Sequence, residues 1–172
     1  MSAIKQIELS EIAVRAPSTP VPGGTETGAV ENPNAYTFQH TPYFPSGIQG
    51  VWVDELTREA IWKAMLDRRT YATTSARMIV RFSLGDSPMG SVVTLSGGRE
   101  HDVHLDVTGT ADIDRAELLR NGRQFVSEQG HGDTVDTLFP IQPEKGTDYF
   151  YARVIQKDGH TAWISPIWVN WR

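Results

Sequence analysis

Residues 51–81 read VWVDELTREAIWKAMLDRRTYATTSARMIVR and predict an amphipathic helix that runs into a basic, hydroxyl-rich turn and then a strand. Apolar side chains recur at helical spacing on one face, at Leu56, Ala60, Ile61, Ala64 and Met65, and Trp62 and Leu66 widen that face. We expect this stripe to be buried, either against the strands that follow or under the segment that precedes it.

The start of this helix is marked by capping residues. Asp54 or Thr57 can accept hydrogen bonds from the first free backbone amides. Glu55 and Glu59 place negative charge in the first turn, where the helix dipole favours it. The helix is therefore predicted to begin between residues 54 and 58.

From residue 76 onward the apolar pattern changes from helical to strand-like. HDVHLDVTGT, residues 101–110, alternates Val103, Leu105 and Val107 with polar residues, as expected for a strand buried on one side. Asn121-Gly122 and the segment KDGH at 157–160 are hairpin signals. IDRAELLRNG at 113–122 could be helical, but the Asn-Gly pair favours a hairpin.

Six to eight short strands with a turn about every ten residues predict a mainly β fold. The class is an antiparallel, immunoglobulin-like β-sandwich preceded by one amphipathic helix. Because the chain has no cysteine, the disulfide-bonded subclass is excluded.

Residues 1–49 are predicted to form an extended arm, because they hold six of the ten prolines and the pair Gly23-Gly24. Residues 4–14 could pair as an edge strand or lie on a partner. Residues 35–45 are rich in aromatic side chains and are expected to be docked. The predicted organisation is an arm over 1–49, a helix and turn over 50–75, and a sandwich over 76–172.

Composition narrows the classes of partner. A net charge of -5 provides no basic stripe for a phosphate backbone, so nucleic acid is not expected as a partner. No apolar run is long enough to span a bilayer, so no membrane partner is expected either. Glu8 and Glu11 interrupt the region where a secretory signal needs an apolar core, and a cytoplasmic location is favoured.

The histidines do not form a recognisable metal motif. His101 and His104 lie three apart, which places them on opposite faces of a strand. His131 and His160 stand beside glycines in predicted turns. His40, among aromatic residues, is a weak candidate metal ligand. The chain has no GxSxG, HExxH, P-loop or GxGxxG motif, so no catalytic residue is assigned.

The segment DRRTYATTSAR, residues 67–77, is the densest polar cluster of the chain. Its three arginines and its hydroxyls could bind an oxyanion. The alternative is that Arg68 and Arg69 neutralise the C-terminal helix dipole while the hydroxyls satisfy turn amides.

Aromatic residues are also concentrated near the C-terminus, at Tyr149, Tyr151, Trp163, Trp168 and Trp171. They are expected to pack in the core and at strand edges, and the alternative is a platform for a sugar ring.

ELTREAIWKAMLDRRTYATTSARMIVRF, followed by PMGS and later by YFYARVIQKDGHTAWISPIWV, resembles the C-terminal part of the polymerase-and-histidinol-phosphatase (PHP) superfamily of metal-dependent hydrolases. The branch is the one that includes carbaryl hydrolase. GIQGVWVDELTREAIW is similar to that branch's lead into its final barrel helix, and the similarity extends over residues 47–169. The chain departs from the family pattern because it contains neither an HxH nor an SDxH motif.

The resemblance implies part of an enzyme, namely a closing helix and a β-sandwich without the catalytic barrel. The expected function is a non-catalytic subunit or C-terminal region that completes the barrel of a separate catalytic chain and is not active alone. No cofactor is expected in this chain, and a divalent metal is expected only in the partner. Arg69, Tyr71, Thr73 and Thr74 would lie near the barrel rim as binding residues.

Two other possibilities remain open at this point. The chain could be a free-standing β-sandwich binding module, with its arm adding a strand to a partner. The helix face could also be covered by a second copy of the chain in a homo-oligomer.

Overall fold

The computed structural model describes residues 5–6, 47–96, 98–144 and 146–172, with only backbone pairing given for the first two. It contains one helix, α1 (Arg58–Leu66), within those residues. Thirteen strands are described, and they are β1 (Lys5–Gln6), β2 (Ile48–Val53), β3 (Thr70–Thr73), β4 (Ile79–Leu84), β5 (Ser87–Pro88), β6 (Val92–Leu95), β7 (His101–Thr108), β8 (Ile113–Arg120), β9 (Arg123–Gln129), β10 (Thr134–Ile141), β11 (Gly146–Gln156), β12 (Thr161–Ile164) and β13 (Ile167–Trp171).

The strands form two sheets. The larger sheet runs in the order β1-β2-β3-β12-β11-β13-β6, and β8 and β9 extend it from the other edge of β11. The long strand β11 can hold three neighbours because β12 pairs with its C-terminal half and β13 with its N-terminal half. The smaller sheet has the order β10-β7-β4-β5. Pairing is antiparallel throughout the described strands, except that β6 joins β13 in parallel.

The core lies between the two sheets, as alternation predicts. Val103, Leu105 and Val107 of β7 point inward and are fully buried. They share one apolar cluster with Phe150, Ala152 and Val154 of β11 in the opposite sheet. The predicted mainly β, immunoglobulin-like sandwich is therefore confirmed.

Both predicted hairpins are present. Asn121 and Gly122 have φ values of 52° and 79° in the turn between β8 and β9, as a type I′ turn requires. Residues 113–120 are therefore a strand and not a helix. The KDGH segment joins β11 to β12, with Gly159 at φ 88°.

The helix begins within the predicted range, but the prediction for the segments on either side of it was wrong. Residues 51–53 belong to β2, and the segment predicted as a hydroxyl-rich turn contains β3, which pairs with β2 and β12. The helix begins after Thr57, whose side chain accepts a hydrogen bond from the amide of Ala60. Val51 and Val53 lie in β2, and Thr70 and Thr73 lie in β3. These β-branched residues favour a strand when other strands pair beside them, as β2 and β12 pair with β3.

Close backbone approach explains Gly50 in β2. It pairs with Tyr71 of β3, and a Cβ atom at Gly50 would lie 2.2 Å from the Tyr71 ring. The ring therefore occupies the space that a side chain at residue 50 would need. This arrangement lets Tyr71 and Trp52 both join the core between the sheets.

The predicted arm is described only at β1, which pairs with Val53 and Trp52 of β2 at the edge of the larger sheet. The edge-strand prediction for residues 4–14 is confirmed for those two residues. The aromatic segment 35–45 and His40 lie outside the described residues. Across the described ranges, no helix is long and apolar enough to cross a membrane.

Candidate interaction face and arginine cleft

The larger sheet has one side that faces away from the core, which we call the outer face. In β2, Trp52 points into the sandwich, so its neighbours Val51 and Val53 point to the outer face. There they pack against Ala64, with Ala60 and Ile61 partly buried beside them. Helix α1 is thus attached to the outer face at the β2 edge of the sheet.

Most of the apolar stripe on α1 is exposed, contrary to the sequence expectation. Ala64 is the buried member of the helix. Trp62 is 63% exposed and Leu66 is 61% exposed, and Leu56 and Met65 are exposed as well. Leu56, Ile61, Trp62 and Met65 line an open groove along the helix. Apolar patches of this kind in folded proteins mark surfaces that are covered by something else.

Aromatic side chains occupy the same outer face beyond the helix. Ala162 and Ile164 of β12 are in the core, so Trp163 between them points outward and is 43% exposed. Tyr149 and Tyr151 of β11 point the same way, with ring centroids 6.3 Å apart and planes 13° apart. Trp168 pairs with Tyr149 across the strands. The helix and these aromatic residues together form what we call the interaction face.

The four residues predicted to bind substrate do not share one surface. The Tyr71 hydroxyl is buried and donates to the carbonyl of Met78 at 2.8 Å. Thr73 is buried and donates to the carbonyl of Ala76 at 2.5 Å. Thr74 is exposed, 3.1 Å from His160 Nδ1. Arg69 lines a cleft on the side of β2 that faces away from α1.

This cleft, which we call the arginine cleft, has a volume of about 300 Å³ and lies where the two sheets meet. Its walls come from β2, β4, the turn between β4 and β5, and β7. Its apolar lining includes Trp52, Phe82 and Met89, all of which are buried. Its polar lining is formed by Arg69, Arg81, Ser83, Asp86 and His104.

The two arginines of the cleft are held differently. The Arg81 guanidinium stacks on the Trp52 ring, 4.8 Å from its centroid, and donates a hydrogen bond to Asp106 at 3.0 Å. Arg69 lies 3.8 Å from Asp67, beyond hydrogen-bond distance. Within the described residues its guanidinium forms this longer ion pair and no hydrogen bond, and its side chain lines the cleft. Arg81 and Trp52 were not predicted as site residues, because they lie on separate strands with no local motif.

The histidines do not converge. His104 is on the outside of the smaller sheet, with Nε2 2.6 Å from Asp136 Oδ1, whereas His101 lies beside the Trp171 ring. Among the residues that the structure describes, no three His, Asp or Glu side chains are placed to hold a metal ion.

Comparison with known proteins gives matches without an assigned function. A family model described as "Protein of unknown function (DUF3604)" matches residues 14–96. An uncharacterized protein of Chlamydia muridarum is 30% identical over 167 residues, which cover 86% of this chain and 27% of that protein. An uncharacterized protein of Chlamydia trachomatis serovar D gives the same identity and coverage. One from Chlamydia pneumoniae is 30% identical over 143 residues, covering 74% of this chain and 23% of that protein.

The chain thus spans about a quarter of the length of the curated relatives it matches. Among solved structures, one titled "Structures of Clostridium thermocellum CbhA fibronectin(III)-like modules" is 17% identical with a TM-score of 0.37. The match covers 55% of this chain and 96% of that chain.

Proposed function

We propose that this chain is a non-catalytic β-sandwich region of a PHP-type metal-dependent hydrolase, and that it packs against a catalytic barrel carried by another chain. The observation that carries the proposal is the exposed apolar side of α1, where Trp62 and Leu66 are each more than half exposed. A terminal barrel helix needs neighbouring helices and strands on that side, and among the residues that the structure describes it is covered mainly at Ala64.

The relatives support a role as one part of a larger protein, because roughly three quarters of their length lies outside the matched region. A β/α barrel of about 250 residues would have room in a segment of that size. The divalent metal of such an enzyme would then belong to the barrel. In this arrangement the interaction face would be the contact surface, and Arg69 would lie on the other side of β2.

Purification of the tagged chain from its own organism tests the proposal. We expect a companion protein that carries HxH and SDxH motifs and shows metal-dependent hydrolase activity in the complex. Trp62→Glu combined with Leu66→Glu should release that companion. Leu138→Glu is the matched control, because Leu138 is 59% exposed on the outside of the smaller sheet and should leave the complex intact.

Three results would count against the proposal. The chain could purify as a 19.1 kDa monomer without a motif-bearing companion. It could self-associate through the helix, which would favour a homo-oligomer. Finally, Leu138→Glu could release the companion as completely as the double variant does. The interaction face would then not be the contact surface.

A second candidate, a free-standing binding module, is favoured by the stacked rings of Tyr149 and Tyr151 near Trp163 on the interaction face. Sugar rings bind to such aromatic surfaces through their apolar faces. A glycan array would distinguish the two functions. Binding by a monomeric chain that is lost in Trp163→Ala supports the module, whereas no binding leaves the subunit proposal in place.

A further inference from the structure

The arginine cleft combines an apolar floor with directed positive charge. Trp52, Phe82 and Met89 supply the floor, and Arg69 and Arg81 stand at its wall. A concave, largely apolar pocket with a few converging polar groups is the usual form of a small-molecule site, and a volume of about 300 Å³ is in the range of such sites.

The charged groups around the cleft limit how much negative charge a ligand can carry. Arg69 and Arg81 are the two arginines of the lining and Asp86 is its carboxylate, while Asp67 and Asp106 lie 3.8 and 3.0 Å from the two guanidinium groups. Asp106 holds Arg81 in its stacked position from outside the cleft. Because three carboxylates surround the two guanidinium groups, a phosphate dianion would be repelled more strongly than a ligand with a single carboxylate.

The geometry of the arginines favours a carboxylate further. Stacking on Trp52 fixes the plane of the Arg81 guanidinium, so that its N–H groups are oriented before a ligand arrives. The Arg69 donors are free of hydrogen bonds to described residues, and planar guanidinium groups bind carboxylates through paired N–H···O bonds. Ser83, on β4 beside His104, offers a further hydroxyl.

We propose that the arginine cleft binds a small monocarboxylate with an apolar or aromatic body. The carboxylate lies between Arg69 and Arg81, and the apolar body lies on Trp52, Phe82 and Met89. This site is separate from the interaction face, since Trp52 and Val53 point to opposite sides of β2. It therefore does not depend on the proposed hydrolase partner.

Titration of the isolated full chain, followed by 1H–15N NMR, tests this site with benzoate as the probe. We expect saturable shifts of the Trp52 indole N–H and of the Ser83 and His104 amides. Benzamide, which has the same shape without the charge, should bind at least about tenfold more weakly. Acetate, which lacks the apolar body, and inorganic phosphate should also bind more weakly than benzoate.

Substitutions of the two arginines test whether their charges bind the carboxylate of benzoate. Arg69→Gln and Arg81→Gln should each weaken benzoate binding at least about tenfold. Arg123→Gln, on the exposed strand β9, is the control and should leave it unchanged. Because Arg81→Gln also removes the stacking on Trp52, near-UV circular dichroism checks its fold, and Arg69→Gln gives an independent reading.

The proposal is overturned if millimolar benzoate causes no saturable shift at Trp52, or if benzamide or phosphate binds as well as benzoate. Equal weakening by Arg123→Gln and Arg69→Gln would also overturn it, because binding would then follow only the overall charge.

Discussion

The Arg68 guanidinium stacks on the indole of Trp168, with Cζ 5.1 Å from the ring centroid. Its Nε and Nη2 atoms also donate to the carbonyl of Gly90, at 3.2 and 3.0 Å. Arg68 follows the C-terminus of α1 with a positive φ of 58°, an unfavourable backbone conformation for a side chain of this size. These contacts fix the end of the helix to β13 and to the turn before β6.

Replacement of Arg68 by Lys should therefore destabilise the chain, although the charge is retained. The ammonium group cannot stack on the ring and donate two aligned hydrogen bonds to Gly90. We expect the free energy of unfolding in urea to fall by about 1 kcal/mol. Arg58→Lys, at an exposed position in the first turn of α1, should change it by less than about 0.5 kcal/mol, and an equal effect would contradict this role.

Gly90 should not tolerate a side chain. Its φ is 87°, and a Cβ atom would lie 2.2 Å from the carbonyl oxygen of Asp67. Gly132 provides a matched control, because its φ is 85° and a Cβ there would meet nothing within 4 Å. Both alanine variants carry the cost of positive φ, about 1 kcal/mol, and only Gly90→Ala adds the clash.

We expect Gly90→Ala to lower the free energy of unfolding by at least about 3 kcal/mol, against about 1 kcal/mol for Gly132→Ala. Thermal or urea unfolding of the two variants gives the comparison. Equal losses would mean that the chain near Asp67 moves away without cost.

Much of this fold could be predicted from the sequence, because the signals involved are local. The alternation in β7 identified its buried side, and Asn121-Gly122 identified the β8–β9 hairpin against a helical reading of residues 113–119. Thr57 was one of two predicted caps. These features depend on residues that are near one another in the sequence.

Strand β2 and the position of the arginine cleft could not be predicted in the same way. Val51 and Val53 fit the helical apolar pattern as well as they fit a strand, and pairing of β2 with β3 decides between the two. The cleft depends on Trp52 reaching the carbonyl of Val80 through its indole N–H, at 2.7 Å. That contact joins residues 28 apart, and no sequence pattern reports it.

Asp148 is expected to make stability depend on acid pH. It is buried in β11, which by itself raises the pKa of the carboxyl group. Hydrogen bonds from Arg120, Trp171 and Asn121 outweigh burial, so that the pKa is lowered in the folded chain. A lowered pKa stabilises the fold above the ordinary carboxyl value of 3.8, and this contribution is lost as the pH falls below that value.

Asp148→Asn should therefore lower the free energy of unfolding by about 2 kcal/mol at pH 7, because the buried Arg120 then keeps only the exposed Glu144 as a countercharge. The difference from the wild type should narrow as the pH falls toward 3. Asp112→Asn is the control, since its carboxylate is 57% exposed beside Lys157 and should matter little. A deficit for Asp148→Asn that is the same at pH 3 and pH 7 would exclude charge as its origin.

Tyr71 is expected to limit stability at alkaline pH. Burial raises the pKa of its hydroxyl to about 12, although the backbone of Val80 and the charge of Arg81 act in the opposite direction. A raised pKa favours the neutral phenol in the folded chain, so its contribution is complete below the ordinary value of 10.0 and is lost as the pH rises toward 12.

Tyr71→Phe leaves the Met78 carbonyl without its donor and should cost about 1–2 kcal/mol at pH 7. Urea midpoints at pH 7 and above pH 10 should show the variant losing less stability than the wild type, and parallel losses would contradict the assignment. Tyr149→Phe, on the exposed outer face, serves as the control and should follow the wild type at both pH values.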